Sequence, residues 1–472
     1  MDFFREGCSS RIFEGEEAVV EVARSKKIRQ PLNGLVQGPD AKGRFFLEAP
    51  ESNKRLLFYG GVPGEQAVVR RGRKGRRGEQ GDLLEVLQPA SARRYPPCRH
   101  FGVCGGCTLQ HLPEAYALHL KSEPHYEMLR RFAPEAELLP PVPSPRSFAY
   151  RTKVELTFME QPDGTTSLGF HRRGRFDRGV DVGRCWLSPL PSSLLSGLRQ
   201  WMKRWGLKGW NPRSHQGDLR YLIYRYSFFT QSDLLALVVN GHSELSGDCR
   251  EHLAAVLRRE GVSGALVISQ TSVAGAVVPD ETSPLYGPQL LTERLGELRF
   301  ELGWQSFFQV NPPAYERLLE TMSCWRLTSP GKRVLDLFCG VGSIGLSLYR
   351  TGDRLIGVEL VEQAVRDAKE NASRNGIEAE FEVRTAEDWD KFETDLLILD
   401  PPRSGCHPRL VERLAKEAPA AELLYVSCNP HRLTEELPQL SARYRLVRAQ
   451  AFDFFPQTHH CELLLQFVRR EA

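Results

Sequence analysis

Two short motifs follow apolar runs in the last quarter of the chain, and each contains a residue with useful chemistry. Asp400 opens the motif DPPR directly after residues 395–399, and Cys428 lies in the motif SCNP directly after residues 422–426. Apolar runs of this length, bounded by Pro and Asn, predict buried strands of a parallel sheet. Because ligands bind beyond the carboxyl ends of such strands, we expect Asp400 and Cys428 to lie side by side at the functional edge.

A glycine-rich turn supplies a third chemical signal. The apolar run 334–338 leads into Gly340, Gly342 and Gly345, and Glu359 follows 14 residues later at the end of the next predicted strand. Glycines permit a tight strand-to-helix turn and close backbone approach to a ligand, and a carboxylate at this position can accept ribose hydroxyl hydrogen bonds. The pattern fits a dinucleotide site, although by itself it does not identify the cofactor.

Three further features favour S-adenosylmethionine over a nicotinamide dinucleotide. The first strand carries Asp336 before the glycines, where a carboxylate can order the loop and bind the methionine amino group. The unit lies towards the C-terminus, and its sheet continues into the Asp400 motif rather than into a second nucleotide-binding half. We therefore predict a methyl donor. The alternative, a Rossmann dehydrogenase, would give the motifs of Asp400 and Cys428 no role.

Three cysteines lie close together in the first half of the chain, at Cys98, Cys104 and Cys107. The two glycines before Cys107 predict a tight loop whose backbone N–H groups can donate to sulfur. A tetrahedral site needs a fourth ligand, and Cys185 is the best candidate. Four thiolates can bind zinc or an iron–sulfur cluster. Zinc sites more often contain two close cysteine pairs and only one pair is close here, so the spacing favours a [4Fe–4S] cluster.

Composition sets the broad class of the protein. The chain has 472 residues, which is too long for one hydrophobic core and predicts several domains. Hydrophobic content of 41% and charged content of 26% are typical of a globular protein. No apolar run approaches the ~18 residues of a membrane helix, and the N-terminus lacks the layout of a signal peptide. We therefore expect a cytoplasmic protein without a membrane partner. The 11 scattered cysteines argue against a disulfide framework.

The elements before residue 300 are typical of nucleic-acid-binding modules. Short strand-like runs between residues 15 and 88 predict a small all-β barrel. Within it, residues 70–77 contain six basic residues in eight and predict a mobile cationic hairpin tip or loop that contacts phosphates. Residues 138–147 contain four prolines and predict a linker. The following strands and helices indicate an α+β region with a second basic group in residues 171–178.

These motifs together resemble the RNA 5-methyluridine (uracil-C5) methyltransferase family, in particular its iron–sulfur members that act on bacterial 23S rRNA. The resemblance covers nearly the whole chain. It is carried by the four cysteines and by five further stretches: residues 308–311 (FQVN), 335–345 (LDLFCGVGSIG), 400–403 (DPPR), 427–430 (SCNP) and 453–462 (DFFPQTHHCE).

The resemblance implies a multidomain fold of three parts. These are an N-terminal small β-barrel of the TRAM or OB-like type at 1–93, a central RNA-binding α+β domain with the iron–sulfur loop at 94–300, and a C-terminal Rossmann-like α/β methyltransferase domain at 301–472. It also implies a [4Fe–4S] cluster on Cys98, Cys104, Cys107 and Cys185. The residues implied to line the S-adenosylmethionine site are Gln309, Phe338, Glu359 and Asp400.

The chemistry of C5 methylation assigns roles to two residues. Uridine C5 is a poor nucleophile towards a methyl sulfonium, whereas thiolate addition to C6 gives an enolate with a nucleophilic C5. We expect Cys428 to be this thiolate, in a strand-end turn where helix N–H groups can lower a thiol pKa. We expect Glu462 to remove the C5 proton so that the thiol can leave, with a pKa raised by a partly apolar pocket. The alternative nucleophiles are Cys339, Cys406 and Cys461.

The substrate prediction is 23S rRNA, modified before or during ribosome assembly by a monomeric enzyme. Transfer RNA stays open as an alternative, because enzymes that resemble this chain act on each RNA. A different class of function is also open: an RNA-binding factor whose methyltransferase site is vestigial.

Overall fold

The computed structural model describes residues 30–40, 42–49, 54–75, 78–391 and 393–470. The strand predicted at residues 18–23 lies outside them. Among the described helices, none is long and apolar enough to cross a membrane. The domain boundaries after residues 93 and 300 stay predictions.

The N-terminal strands form one curved sheet. The strands are β1 (Leu32–Leu35), β2 (Phe45–Ala49), β3 (Lys54–Phe58), β4 (Gln66–Gly75) and β5 (Gly78–Gln88). Their order in the sheet is β1-β4-β5-β3-β2, and an isolated bridge joins Gln37, just after β1, to Phe46 in β2. The sheet thus curls back on itself as a half-barrel.

The basic run lies on the β4–β5 hairpin. A cationic hairpin is therefore present, but residues 70–75 belong to strand β4 rather than to a loop. Arg70 lies 3.0 Å from Asp82 and Arg71 lies 3.0 Å from Glu79, both on β5. The run lacks acidic residues of its own, but cross-strand acids neutralise part of its charge.

A helix and an edge strand then join the N-terminal part of the chain to the C-terminal sheet. These are α1 (Glu114–Phe132) and β6 (Glu137–Val142). β6 pairs in parallel with a C-terminal strand, so the linker prediction for residues 138–147 is wrong as far as Val142. Prolines are tolerated here because β6 is an edge strand, where N–H groups on one side need no partner.

A seven-stranded sheet forms the central α+β region. Its strands are β7 (Lys153–Glu160), β8 (Thr166–His171), β9 (Gly179–Asp181), β10 (Leu219–Tyr226), β11 (Asp233–Asn240), β12 (Gly264–Gln270) and β13 (Glu281–Tyr286), in the order β13-β12-β11-β10-β7-β8-β9. Two amphipathic helices, α2 (Ser192–Trp205) and α3 (Gly247–Arg259), bury Leu198, Trp201 and Leu253 in the same core as the sheet.

The C-terminal part is an eight-stranded sheet with helices on both faces. A hairpin of β14 (Leu291–Leu295) and β15 (Leu298–Leu302) precedes it. The remaining strands are β16 (Arg333–Leu337), β17 (Arg354–Glu359), β18 (Ala379–Val383), β19 (Leu396–Leu399), β20 (Glu422–Ser427), β21 (Tyr444–Phe452) and β22 (Glu462–Arg469). The helices are α4 (Pro312–Trp325), α5 (Ser343–Leu348), α6 (Glu362–Arg374), α7 (Pro408–Glu417) and α8 (Pro430–Leu440).

The order of this sheet is β18-β17-β16-β19-β20-β22-β21-β6. Strands β18 to β20 are parallel, and β22 is antiparallel to both of its neighbours. Apolar side chains on the two faces fill two separate cores. This arrangement confirms a Rossmann-like C-terminal fold and directs the carboxyl ends of the parallel strands to one edge.

Candidate active site

The register of the C-terminal sheet aligns three of the predicted donor-site residues. Leu337 at the end of β16 pairs with Val358 on one side and with Leu399 on the other. The three residues that follow them therefore lie in one row beyond the strand ends: Phe338, Glu359 and Asp400. The sheet thus brings these residues together at the edge that sequence analysis predicted.

The glycine turn packs directly over this row. Phe338 has a left-handed backbone with φ 67°, and Gly342, at φ 82°, precedes the first turn of α5. One carboxylate oxygen of Glu359 accepts a hydrogen bond from the Gly340 N–H at 3.2 Å, and the other accepts from the Val361 N–H at 2.9 Å. Each oxygen retains a second lone pair, so the carboxylate can still accept a ligand hydroxyl.

Asp336 lies buried beneath the same turn. Its Oδ2 accepts the Gly345 N–H at 2.9 Å, whereas the buried Oδ1 has no partner among the described residues. Burial raises the pKa of Asp336 to about 8. A Cβ at position 345 would lie 2.8 Å from Asp336 Oδ2, so only glycine fits there. Asp336 therefore orders the loop, as predicted, and its second oxygen is buried without a partner among the described residues.

Gln309, the fourth predicted donor-site residue, lies in the loop before α4. Two residues later, Asn311 caps α4 and donates to the Phe454 carbonyl at 3.0 Å, which places this loop against the β21–β22 connection. Gln309 is half-buried. Within the described part of the chain, no hydrogen bond joins it to the row of Phe338, Glu359 and Asp400.

The predicted nucleophile and base meet at the ends of β20 and β22. Ser427 pairs with Leu463, so Cys428 and Glu462 face each other one position further along. Glu462 is 3% exposed, whereas Cys428 is half-buried. The alternative nucleophiles Cys339, Cys406 and Cys461 are all buried. Cys428 is therefore the accessible thiol beside the carboxylates.

Burial controls the protonation of Glu462, Cys428 and Asp400. It raises the pKa of Glu462 to about 8, with the Asp400 charge adding to the shift and Arg403 opposing it. It also raises the pKa of Cys428 to about 12, with Glu462 and Asp400 adding and Arg403 opposing. The pKa of Asp400 rises to about 7 for the same reason. The expected lowering of the thiol pKa by helix N–H groups is wrong for this state, because burial and two carboxylates outweigh them.

Two side chains connect the motifs around the nucleophile. Asn429 donates from its side chain to the Arg403 carbonyl at 2.8 Å, which joins the SCNP turn to the DPPR turn. Arg403 in turn lies 3.5 Å from the Nε2 of His460, on the connection that leads to Glu462. The Arg403 guanidinium thus lies close enough to Cys428 and Glu462 to oppose the rise in their pKa values.

The four predicted ligand cysteines lie around a separate cavity of about 400 Å³: Cys98, Cys104, Cys107 and Cys185. The Gly106 N–H donates to Cys104 Sγ at 3.4 Å, and the Gln110 side chain donates to Cys107 Sγ at 3.1 Å. In the described ranges, no group of three or more His, Cys, Asp or Glu side chains is close enough to hold a metal ion.

Sequence analysis missed one buried ion pair near the base, formed by Lys121 of α1 and Asp453. The signal in the sequence was the position of Lys121 on the apolar face of α1. Lys121 shares the buried stripe of α1 with Ala117, Leu118 and Leu129, where an apolar residue is expected. A cation in such a stripe indicates a buried acidic partner.

Comparisons with known proteins identify the family to which this chain belongs. Residues 290–470 match the family model described as tRNA (Uracil-5-)-methyltransferase. An uncharacterized RNA methyltransferase of Caldanaerobacter subterraneus is 33% identical over 87% of this chain and 93% of the relative. The tRNA (uracil(54)-C(5))-methyltransferase of Pyrococcus abyssi is 30% identical over 88% of this chain and 96% of the relative. The chain belongs to the RNA uracil-C5 methyltransferase family.

A solved structure extends the likeness to the whole architecture. The crystal structure of the Pyrococcus abyssi tRNA (uracil-54, C5)-methyltransferase, in complex with S-adenosyl-L-homocysteine, matches with a TM-score of 0.75 and 26% identity. The match covers 93% of this chain and 100% of that chain. This RNA uracil-C5 methyltransferase is therefore an enzyme with a Rossmann-like methyltransferase fold, and the likeness supports S-adenosylmethionine as its methyl donor and RNA as its kind of substrate.

Proposed function

We propose that this RNA uracil-C5 methyltransferase methylates C5 of a uridine in 23S rRNA, acting as a monomer before or during ribosome assembly. The observation that carries the chemistry is the position of Cys428 opposite Glu462, one residue beyond the Ser427–Leu463 pair and close to the row that contains Asp400. A thiol and a buried carboxyl group side by side supply the nucleophile and the base that methylation of a pyrimidine carbon requires.

Four residues bind the methyl donor in this proposal: Gln309, Phe338, Glu359 and Asp400. Glu359 accepts hydrogen bonds from the ribose hydroxyls through the lone pairs that Gly340 and Val361 leave free. Asp336 acts indirectly in this proposal, because it accepts the Gly345 N–H and so fixes the shape of the donor loop. S-adenosylmethionine supplies the methyl group. These residues orient it towards the edge where Cys428 lies.

Cys428 begins the reaction by adding to uracil C6 as a thiolate, which forms the sulfur–carbon bond and moves electron density to C5. C5 then forms a bond to the methyl group as the sulfonium sulfur–methyl bond breaks, and the donor leaves as a neutral thioether. Glu462 removes the proton from C5, and the Cys428 sulfur leaves C6 as the double bond forms again. Substrate enters the site as a base everted from its stack. Because the free enzyme holds Cys428 as a thiol, its proton must pass to solvent or to a neighbouring carboxylate before the sulfur adds to C6.

We propose a [4Fe–4S] cluster on Cys98, Cys104, Cys107 and Cys185. Support comes from their shared cavity and from the N–H donors that already face two of the sulfurs. A single zinc ion needs four ligands at about 2.3 Å, whereas a cluster accepts more widely spaced thiolates. When bound, the cluster would supply a cross-link between the 98–107 loop and Cys185. Methyl transfer moves no net electrons, so a redox role is not required.

Transfer RNA is the second candidate substrate. The observation that favours it is the name of two relatives, the tRNA (uracil(54)-C(5))-methyltransferases of Pyrococcus abyssi and Pyrococcus horikoshii, which are 30% and 28% identical to this chain. The four-cysteine set and the resemblance that it supports favour 23S rRNA.

Nucleoside mass spectrometry tests both candidates. Anaerobically purified protein is incubated with methyl-labelled S-adenosylmethionine and, separately, with unmodified 23S rRNA and unmodified tRNA. Labelled 5-methyluridine in the rRNA alone is the expected result. Label in tRNA alone keeps the chemistry and overturns the substrate. An absence of label in either RNA, with RNA binding intact and no calorimetric binding of S-adenosylmethionine, would instead support a binding factor with a vestigial site.

A further inference from the structure

The connection between β21 and β22, residues 453–461, determines where Glu462 lies. Phe452 pairs with Glu462, so the connection leaves the sheet at Asp453 and returns directly at the base. Among the described residues, no hydrogen bond or ion pair holds the Glu462 carboxyl. Its position therefore depends on the backbone at the start of β22, which is held by the pairing with Phe452 and by the connection that leads into it.

Lys121 of α1 reaches into this connection from outside the sheet. It is 5% exposed, and its Nζ lies 2.5 Å from Asp453 Oδ1, 3.2 Å from the Phe455 carbonyl and 3.4 Å from the Thr458 carbonyl. A lysine ammonium has three N–H donors, so these three acceptors use all of them. Lys121 thus joins the first residue of the connection to both ends of the turn formed by residues 455–458.

Neutral hydrogen bonds hold the carbonyls between these points. Tyr150 donates to the Pro456 carbonyl at 3.0 Å. The Gln457 carbonyl accepts the Thr108 N–H at 2.9 Å and the Leu109 N–H at 3.0 Å. Gln457 has a left-handed backbone with φ 66°, a conformation that residues other than glycine rarely adopt unless their surroundings impose it. The connection is therefore held in one shape by contacts from other parts of the chain.

The nucleophile is held by different contacts. Cys428 follows β20, and its neighbour Asn429 is hydrogen-bonded to the Arg403 carbonyl. Neither Asn429 nor Arg403 hydrogen-bonds to Lys121, and the one link between Arg403 and the connection among the described residues is its 3.5 Å contact with His460. A change at Lys121 should therefore move Glu462 more than Cys428.

We propose that Lys121 is a positioning residue for Glu462: through Asp453 and the carbonyls of Phe455 and Thr458 it fixes the connection that presents the base to uracil C5. The inference rests on the proposed function, because it takes Glu462 as the base. It assigns Lys121 to one step of the reaction, the removal of the C5 proton, and not to the addition of Cys428 or to methyl transfer.

The test separates these steps with two RNA substrates. With uridine RNA and S-adenosylmethionine, slow proton removal leaves a methylated covalent protein–RNA complex that denaturing gels detect. With 5-fluorouridine RNA, C5 carries fluorine and the base has no proton to remove, so formation of the complex reports addition and methyl transfer alone.

We expect Lys121→Met to accumulate the complex on uridine RNA and to slow its release by about 10²-fold, the scale of general-base catalysis. Its rate of complex formation on 5-fluorouridine RNA should stay near that of the wild type. Lys121→Arg keeps the charge and should restore part of the release rate. Asp453→Asn provides a second variant with the same expected signature if Lys121→Met does not fold.

Arg326→Met is the matched control. It breaks another buried ion pair, that of Arg326 with Asp353, whose side chains are 0% exposed, and that pair lies away from the connection. This variant should lose stability without accumulating the complex. The inference is overturned if Lys121→Met behaves like Arg326→Met, slowing both assays equally, or if it turns over at the wild-type rate.

Glu462→Gln distinguishes the inference from the proposed function. If Glu462→Gln accumulates the complex and Lys121→Met and Asp453→Asn do not, the positioning role falls and the base assignment stands. If Glu462→Gln turns over uridine RNA normally, the base assignment itself is wrong and the role of Lys121 falls with it.

Discussion

Cys428 and Glu462 face each other across β20 and β22, one register position beyond the Ser427–Leu463 pair. A thiol and a carboxyl group placed this close affect each other's ionisation, and the structure buries the carboxyl completely while leaving the thiol half-buried. Both groups are therefore protonated more readily than in water. The same position that the proposed mechanism requires, with both groups beside one uracil ring, also makes each of them costly to ionise in the free enzyme.

The first prediction concerns the nucleophile. Cys428→Ala should abolish both 5-methyluridine formation and the covalent complex with 5-fluorouridine RNA, because the part of the chain that the structure describes places no other accessible thiol beside the carboxylates. Cys461→Ala is the matched control, since this buried cysteine directly precedes Glu462, and it should retain both activities. A covalent complex that persists in Cys428→Ala would assign the nucleophile to another cysteine.

The second prediction concerns pH. Because burial raises the pKa of Glu462 to about 8, the carboxylate needed as a base is lost as pH falls below that value. The release rate of the methylated complex, followed in single turnover, should rise with pH, by about tenfold per unit well below pH 8, and then level off. A release rate independent of pH between 6 and 9 would show that Glu462 does not act as the base.

The third prediction concerns stability. A carboxyl whose pKa is raised in the folded state binds its proton more tightly there than in the unfolded chain. Glu462 therefore favours folding only while it is protonated, and its ionisation destabilises the fold as pH rises from about 4.5 towards 8.

Glu462→Gln removes this cost, so the variant should gain thermal stability over the wild type, and the gain should grow across that window. Three to four pKa units set an upper bound of about 5 kcal/mol on the gain. Thermal unfolding at pH 5 and pH 8.5 measures it. The exposed Glu435→Gln should show no such growth, and an equal gain at both pH values for Glu462→Gln would contradict the prediction.

The fourth prediction concerns the donor loop. Gly345→Ala places a Cβ 2.8 Å from Asp336 Oδ2 and 3.0 Å from Leu355, so the loop must shift. We expect weaker calorimetric binding of S-adenosylmethionine and a loss of about 1–3 kcal/mol in unfolding free energy. Gly247→Ala, where an added Cβ meets nothing within 4 Å, is the control and should change neither quantity. Unchanged donor binding in Gly345→Ala would place the donor elsewhere.

The fifth prediction concerns the cysteine cavity. Anaerobically purified protein should contain about four iron and four sulfide ions per chain. Cys185→Ser should lose most of the iron, because Cys185 closes the cavity from the opposite segment, whereas Cys324→Ser, at an exposed cysteine, should keep it. Stoichiometric zinc in place of iron would correct the metal, and a metal content that Cys185→Ser leaves unchanged would correct the ligand set.

That Asp400, Cys428 and Glu359 lie at the carboxyl ends of strands was predictable from local sequence, because an apolar run of strand length precedes each of them. The alignment of Glu359 with Asp400, and the position of Cys428 two residues further along the neighbouring strand, were not predictable, since they depend on the pairing register. The proline-containing β6 was predicted to be a linker because proline lowers strand propensity, and only its place at the sheet edge explains why it pairs. The direction of the Cys428 pKa shift depends on burial, which is a property of the assembled fold. The ion pair of Lys121 could not be predicted from local sequence because its partner Asp453 lies 332 residues away in sequence.

The parallel pairing of β6 with β21 has a consequence for the chain as a whole. The C-terminal sheet is discontinuous in sequence: the chain contributes an edge strand, leaves to build the seven-stranded central sheet, and then returns. The central region is thus an insertion joined at both of its ends. A fragment of residues 301–472 would lack β6 and α1, and it would expose the unpaired edge of β21, a template for pairing with another chain. Expression of that fragment should therefore give aggregates rather than a minimal enzyme.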